Sequence, residues 1–321
     1  MLLFLLIACE PDVIDSSYEM PDDVIDLRAV YPDPPEGGLQ ILTPDLAIPP
    51  FTEILWCYYD TWYGPDMGIN SFVELHPVQY HHHSLVKDAS SLESVSDGQF
   101  ASCTDIEEAG GMQIAPLVHA SFLAGPRGDG SIVNMPSNMA FRLETGQKYS
   151  ADIHYINSTD QTLLINSAFN IGLVPADEVE HWVAGFDLDV GYFELPADEE
   201  TTLAFDCELE TDVSVLTLLA HAHQWGTKYK IELISEDGGS EVLMDIDWKE
   251  EYRWSSPTVF FRLDDITIDE GDRIRTTCTW DNTSGGILSF PAEMCTTSGV
   301  AVGLSEPLFC NGELVNLEGE Q

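Results

Sequence analysis

Nine histidines are the first residues in this chain that could do chemistry, and six of them lie in three short motifs. The motif with the clearest spacing is Ala220–Gly226 (AHAHQWG), in which one residue separates His221 from His223. Residues i and i+2 of a strand point to the same face, so this spacing presents two imidazoles to one ion. The apolar run before the motif, Val213–Ala220, favours a strand. The alternative is two histidines on a solvated strand face, the commoner role of an isolated pair.

The second motif is a run of three histidines, His81, His82 and His83. Ideal strand alternation pairs His81 with His83, whereas a bulge would let two adjacent histidines share an ion. A histidine-rich tract can also be an exposed, adventitious metal binder. The third motif contains His154 in a strand-like segment, and a lone histidine in a strand is more often packed and hydrogen-bonded than bound to a metal.

One methionine completes the set of candidate ligands. Met294 stands between Glu293 and Cys295. Methionine is ordinarily a filler of hydrophobic cores. Its thioether is also a soft ligand that prefers Cu(I), so a His–His–Met set would select copper over zinc or magnesium.

The elements that must position these residues are predicted to be β-strands. From Phe51 onward, short apolar or alternating runs are separated by Gly, Pro, Asn and Asp, and no long stretch has a 3.6-residue period. This pattern predicts an all-β sandwich or barrel. With 321 residues the chain has room for two domains. The polar segment Pro175–His181 predicts a boundary between domains at residues 51–180 and 181–321.

Net charge excludes some classes of partner. The chain has 12 basic and 56 acidic residues, for a net charge of −44. A surface this negative repels nucleic acid and anionic membranes and favours solubility. The simplest interpretation is a solvated acidic coat.

The N-terminal residues predict export. Leu2–Ala8 is an apolar run of seven residues, too short for the about twenty that span a bilayer, but similar to the end of an export signal. Together with Cys9 it resembles a bacterial lipobox, although no Lys or Arg precedes it. Residues 1–9 are therefore predicted to be an export signal. Cys9 is predicted to be the lipidated mature N-terminus and the only attachment of the protein to the membrane. Residues 10–50, acidic and proline-rich, are predicted to be a tether.

The remaining six cysteines predict disulfides, because an even number in an exported protein is typical of them. No CxxC pair is present, which disfavours a thiolate zinc site. Spacing alone does not choose among the possible pairings.

Taken in order, these pieces resemble the copper type II, ascorbate-dependent monooxygenases, the family of peptidylglycine α-hydroxylating monooxygenase and dopamine β-hydroxylase. The resemblance covers roughly residues 51 to 310. Each motif alone is weak evidence for this family, but the whole set in this order is specific to it. The matching pieces are Cys57, HHSLV (82–86), Cys103, PLVHASFLAG (116–125), HYIN (154–157), HAHQWG (221–226), TTCTWDN (276–282), a Gly-Gly pair (285–286) and EMC (293–295).

The resemblance implies two tandem, antiparallel, jelly-roll-like β-sandwich domains that each bind one copper ion. The implied ligands of the N-terminal domain are His82, His83 and His154, with His81 as an open alternative. The implied ligands of the C-terminal domain are His221, His223 and Met294. The family's disulfides map onto Cys57–Cys103, Cys278–Cys295 and Cys207–Cys310, which uses all six cysteines.

The resemblance further implies an enzyme that hydroxylates a C–H bond of a small organic substrate with O2. The three-histidine copper would store and deliver an electron from a reductant such as ascorbate, and His221, His223 and Met294 would form the catalytic copper site. Leu219 and Ser298 stand where peptide-amidating members carry an arginine and a tyrosine, so peptidylglycine is disfavoured as substrate. The alternative hypothesis is a non-catalytic copper-binding or surface interaction module on the same scaffold.

Overall fold

A computed structural model describes residues 24–75, 80–88, 96–102, 114–118, 132–157, 159–190, 192–253, 256–290 and 292–315. The strands of the first half are Val24–Asp26 (β1), Leu39–Leu42 (β2), Leu46–Ile48 (β3), Thr52–Thr61 (β4), Met67–Leu75 (β5), Tyr80–Asp88 (β6), Gln99–Ser102 (β7), Ile114–Val118 (β8), Ile132–Asn134 (β9), Met139–Leu143 (β10), Lys148–Asn157 (β11), Thr162–Ile165 (β12) and Ala168–Pro175 (β13).

The second half continues in the same way. Its strands are His181–Asp189 (β14), Glu194–Leu195 (β15), Glu199–Glu208 (β16), Val213–His221 (β17), Gly226–Ile234 (β18), Ser240–Asp247 (β19), Thr258–Phe260 (β20), Thr267–Ile268 (β21), Arg273–Asn282 (β22), Leu288–Ser289 (β23), Thr296–Val302 (β24), Leu308–Asn311 (β25) and Glu313–Val315 (β26). Two short 3-10 turns, Ala176–Glu178 and Glu250–Arg253, are the only helical segments in the described ranges. The prediction of an all-β sandwich fold is confirmed.

One sheet of eleven strands runs through both halves of the chain. Its main path is β2-β13-β5-β10-β14-β24-β17-β20, with β9, β21 and β25 paired at its sides. The halves join where β10 pairs in parallel with β14, with Met139 opposite His181. Most other pairs are antiparallel. The predicted boundary near residue 180 falls in the turn before β14, and the division into two domains stays a prediction.

Each half adds a second sheet to this shared one. In the first half the facing sheet has the order β7-β4-β11-β6-β8, and in the second half β19-β18-β22-β16-β26. Two clusters of buried side chains fill the space between the layers. The second-half cluster contains Leu218 and Ala220 of the shared sheet together with Tyr229 and Trp280 of the facing sheet. Apolar residues on the inner faces thus form two cores, one in each sandwich.

The tether prediction is wrong for residues 24–50. This segment forms β1, β2 and β3, which pair with β12 or β13 of the first sandwich. Ile41, Leu46 and Ile48 are 3%, 2% and 1% exposed and belong to its core. Strands of three or four residues are too short to show alternation in an acidic, proline-rich segment, and only long-range pairing reveals them. Cys9 and the rest of the predicted signal and tether, residues 1–23, lie outside the described residues.

Two of the three predicted disulfide pairings are confirmed. Cys207 is bonded to Cys310 and Cys278 to Cys295, with 6.2 Å between the α-carbons of each pair. Cys57 is also disulfide-bonded, and its predicted partner, Cys103, lies outside the described residues. Structural disulfides persist in extracellular or other oxidising environments, which assigns the protein to one of them. Among the residues described, no helix is long and apolar enough to cross a membrane.

Candidate metal centre in the second sandwich

The HxH motif lies where β17 leaves the shared sheet. His221 is the last residue of β17 and stands opposite Thr296, the first residue of β24, in an antiparallel register. The ladder ends at this pair. Beyond it, hydrogen bonds join the two segments, since Nδ1 of His223 is 3.1 Å from the carbonyl oxygen of Ala292 and the backbone N–H of His223 donates to Oε2 of Glu293 at 3.0 Å. The fold therefore brings the predicted HxH and EMC motifs, about 70 residues apart in sequence, to one place.

The two imidazoles are close enough to share an ion. Their ring centroids are 5.1 Å apart and the rings are nearly perpendicular, at 81°. His221 is 2% exposed, whereas His223 is partly exposed. The pair thus stands at the boundary between the core and solvent, where a small molecule can reach one side of a bound ion.

Hydrogen bonds at Nδ1 define the tautomer of each ring. The carbonyl of Ala292 only accepts, so Nδ1 of His223 donates to it and Nε2 carries the lone pair. Nδ1 of His221 is 3.3 Å from the hydroxyl of Ser256, which itself donates to the carbonyl of Tyr252. With that hydroxyl as the acceptor, Nδ1 of His221 donates to it and Nε2 carries the lone pair of the ring. A histidine whose second nitrogen donates to an oxygen is the usual arrangement of a metal ligand.

A buried carboxylate, Glu293, fastens the loop that carries His223. The side chain is 0% exposed. Its Oε1 accepts from the backbone N–H of Trp225 at 3.0 Å, and its Oε2 accepts from the backbone N–H of His223 and the indole N–H of Trp280, both at 3.0 Å. The backbone nitrogen of Met294 lies 3.4 Å from the same Oε2. One carboxylate oxygen therefore fixes the distance between the His223 and Met294 backbones.

Further contacts hold the same region from the other side. The indole N–H of Trp248 donates to the carbonyl of His223 at 2.9 Å. The hydroxyl of Tyr229 donates to the carbonyl of Thr296 at 2.7 Å, and burial raises the pKa of Tyr229, which keeps it protonated as a donor. Asp189 accepts from the Thr296 hydroxyl at 3.0 Å, and burial raises the pKa of this carboxyl. Both strand ends at the site are thus fixed by hydrogen bonds.

Glu293 belongs to the EMC motif, and Trp225 and Trp280 belong to the HAHQWG and TTCTWDN motifs, but none of these motifs predicts the hydrogen bonds that the three residues make. A glutamate next to a methionine gives no sequence signal of burial, because acidic residues are almost always exposed unless paired.

Met294 is the third ligand that the sequence predicts for this site. Within the ranges that the structure describes, no three His, Cys, Asp or Glu side chains converge on a point that could hold a metal ion. The backbone of Met294 lies near that of His223, because Oε2 of Glu293 is within 3.0 Å of the His223 nitrogen and 3.4 Å of the Met294 nitrogen. Met294 as a ligand stays a prediction. A set of two imidazoles and one thioether would fit copper better than zinc or magnesium.

The Cys278–Cys295 disulfide ties Met294 to β22, because Cys295 is its chain neighbour. We expect the double substitution Cys278→Ala/Cys295→Ala to lower the free energy of unfolding by about 3 kcal/mol, since the bridge closes a short loop. We also expect weaker copper binding by the folded protein. Urea unfolding and copper titration measure the two effects.

The matched control is Cys207→Ala/Cys310→Ala, which opens a bridge with a sequence separation of 103 residues. It should destabilise the protein at least as much while leaving the copper affinity of the folded fraction unchanged. Equal copper affinities for both double variants would contradict a role of the first bridge at the metal centre.

The predicted site in the first sandwich lies on β6 and β11. The backbone register sets His82 directly opposite His154 and His83 opposite Ile153, with an irregularity at which His81 is the extra residue. A bulge places two residues of one strand opposite a single residue of the partner strand, so the backbones of His81 and His82 both lie opposite His154. The predicted ligand set of His82, His83 and His154 stays a prediction. The backbone register favours the alternative set, in which His81 takes the place of His83.

Comparisons with known proteins identify no family. No protein-family model matches the chain, and no curated protein matches it. Among solved structures, it is similar to a chain in the structure of infectious bursal disease virus Gt strain, with a TM-score of 0.22 and 10% sequence identity over 87% of this chain and 75% of that chain. A similarity at this TM-score gives no evidence about function. The evidence for function is therefore limited to the motifs and the geometry of the site.

Proposed function

We propose that this protein is a copper-dependent monooxygenase, which hydroxylates a C–H bond of a small organic substrate with O2 and a reductant such as ascorbate. The observation that carries the proposal is the arrangement of His221 and His223. Their rings are 5.1 Å apart, each has its Nδ1 next to an oxygen, and the backbone of Met294 lies near that of His223 through Glu293.

The donor set supports copper as the cofactor. Imidazole nitrogens bind several first-row metals, but a thioether adds a preference for Cu(I). Copper bound here would supply one-electron chemistry with O2. The protein's own contribution is to hold the two Nε2 atoms and the sulfur in place, through Glu293, Ser256 and the Cys278–Cys295 bridge.

A second copper on the first sandwich is part of the proposal. His82 and His154 share a register level, and His81 or His83 would supply the third nitrogen. Three imidazoles suit a copper ion that passes electrons from ascorbate to the other site. Export and lipid attachment at Cys9 also belong to the proposal, and the oxidising environment assigned by the disulfides agrees with export.

The test is metal content together with turnover. The purified protein, incubated with Cu(II) and desalted, should retain two copper ions per chain by atomic emission. Ascorbate should then drive O2 uptake that rises when a substrate is present. Two coppers without ascorbate-dependent uptake would support the alternative of a non-catalytic copper-binding module. Retention of no copper, or of zinc in its place, would contradict both.

A further inference from the structure

An exposed apolar turn joins β3 to β4 in the first sandwich. It consists of Pro49, Pro50 and Phe51, which are all exposed, and Phe51 is 74% exposed. A run of exposed apolar residues is unusual unless it has a function. The backbone of Phe51 has a φ of 51°, in the left-handed region, where a bulky side chain is rare and costs conformational free energy. Neither burial nor backbone preference therefore accounts for a phenylalanine at this position.

A buried asparagine fixes this 49–51 turn to the sandwich. The side-chain amide of Asn157, which is 1% exposed, donates to the carbonyls of Ile48 and Pro49 at 3.0 and 2.8 Å. The backbone N–H of Phe51 donates to the carbonyl of Thr159 at 3.2 Å. The aromatic ring is thus presented to solvent on a backbone that hydrogen bonds hold in place.

The second sandwich contains a similar turn with a different residue at its tip. Pro196, Ala197 and Asp198 join β15 to β16, and Asp198 has a φ of 57°. A buried asparagine, Asn282, again donates to the carbonyls of the last strand residue and the first proline, Leu195 and Pro196, both at 2.9 Å. Aspartate adopts a positive φ more readily than most residues. The same turn can therefore be built without an exposed ring.

The chain enters the folded body at the same end of the first sandwich as the 49–51 turn. β1 and β3 flank β12, with Ile25 and Ile48 on either side of Leu163. β1 runs parallel to β12 and β3 runs antiparallel to it, so the start of β1 and the end of β3 lie at one end of this small sheet. Two strand spacings, about 10 Å, separate them. Val24, the first residue of β1, is therefore a neighbour of the turn.

The connection from Cys9 to this end of the sandwich is short. Cys9 precedes Val24 by 15 residues. A fully extended chain spans at most about 3.6 Å per residue, which limits the distance between the two residues to about 50 Å. A lipid at Cys9 would therefore keep the 49–51 turn close to the bilayer surface. A short linker gives a high effective concentration, so even a weak contact with that surface would form.

The charges around the turn determine which surface it fits. The turn itself carries no charge, whereas Asp160, which follows Thr159 in the chain, is exposed. This carboxylate limits insertion to the headgroup layer, because a charge is costly in the hydrocarbon. With a net charge of −44, the protein is repelled by anionic lipids. The surface that fits is therefore the headgroup layer of a zwitterionic bilayer.

We propose that the 49–51 turn contacts the headgroup layer of a zwitterionic bilayer, inserts the ring of Phe51 there and orients the first sandwich towards it. Contact in the natural protein rests on lipid attachment at Cys9, which belongs to the proposed function. Lipid chains and exposed apolar groups strengthen membrane binding together. Phe51 is the second group in this arrangement, beside the lipid.

The first test measures the contribution of Phe51 to membrane binding. The full chain is coupled through Cys9 to N-tetradecylmaleimide, because a single chain of this length binds vesicles reversibly. Sedimentation with phosphatidylcholine vesicles gives the partition coefficient. We expect Phe51→Asp to lower it about five-fold or more, since burial of the ring is lost and a charge is added. Asp198 shows that aspartate suits this backbone, so the variant should fold.

The matched control is Phe260→Asp, the same substitution at a phenylalanine that is 70% exposed on β20 of the second half. It should leave the partition coefficient unchanged, because Phe260 is not at the end where the chain enters. An unchanged coefficient in Phe51→Asp, or an equal loss in the control, would overturn the proposal.

The second test locates the turn in the bilayer. Phe51→Trp and Asp198→Trp each add one tryptophan, at the tips of the two similar turns, to the seven already present. Both variants are coupled at Cys9 and bound to vesicles of brominated phosphatidylcholine, whose bromine atoms quench indole fluorescence on contact. We expect additional quenching, relative to the coupled wild type, in Phe51→Trp only. No additional quenching in Phe51→Trp, or equal quenching in both variants, would contradict the contact.

These tests do not require natural lipidation, because chemical coupling at Cys9 replaces it. If the coupled protein passes both tests but the exported protein carries no lipid, the turn binds membranes and the lipid attachment in the proposed function is wrong. If the exported protein is lipidated but Phe51→Asp partitions like the wild type, this inference alone is wrong.

Discussion

Replacing Met294 by isoleucine is expected to reduce ascorbate-dependent O2 uptake by about 100-fold or more while the protein stays folded. Loss of an outer hydrogen-bond partner of a metal ligand typically costs about 10–100-fold in affinity or activity, and loss of a ligand should cost at least as much. Isoleucine has nearly the volume of methionine but no sulfur. His221 and His223 would still bind Cu(II) weakly, without the thioether that favours Cu(I).

The measurement is copper stoichiometry beside O2 uptake, for the wild type and the variant. The control is Met244→Ile, the same substitution at a methionine that is 5% exposed in the core of the second sandwich. The control should retain both copper ions and uptake. Full uptake in Met294→Ile would show that Met294 only fills space, and loss of the copper assigned to the first sandwich would contradict the independence of the two sites.

A large effect on stability is expected for Glu293→Gln. The carboxylate accepts three hydrogen bonds of 3.0 Å, and both oxygens are used. The glutamine side chain keeps one acceptor oxygen. Its NH2 group faces an N–H donor, so the hydrogen bond at that position is lost. Hydrogen bonds to a charged group contribute about 1.5–3 kcal/mol each, so we expect the free energy of unfolding to fall by about 3 kcal/mol or more.

Urea unfolding followed by tryptophan fluorescence measures this loss. Glu241→Gln is the control, because Glu241 is exposed on β19 and its substitution should change stability by less than about 0.5 kcal/mol. Copper affinity should fall in Glu293→Gln as well, since the carboxylate sets the positions of His223 and Met294. A stable Glu293→Gln variant with normal copper affinity would exclude Glu293 as the residue that organises the site.

Local sequence pattern was sufficient for the fold class and for part of the candidate site. Strands such as Val213–His221 are apolar runs bounded by polar residues, and their propensity does not depend on distant partners. The pair His221 and His223 follows from strand periodicity. The pairings Cys207–Cys310 and Cys278–Cys295 came from the resemblance of the ordered motifs, and the structure confirms them.

Short strands in a polar context escaped the same reasoning. Six of the ten residues at 39–48 are apolar, but the longer segment 10–50 that contains them is acidic and proline-rich, a composition typical of tethers. Their place in the core depends on β12 and β13, more than 100 residues away. Pairing partners at that distance supply the hydrogen bonds and burial that make such a segment a strand.

Only the tertiary structure decided which residues meet. The register of β17 against β24 places His221 opposite Thr296, two residues after Met294, and the register of β6 against β11 places His82 opposite His154. The burial of Glu293 also depends on the first of these pairings. Period and composition describe a strand by its own residues, whereas register, burial of a charge and the space between sheets depend on residues distant in the chain.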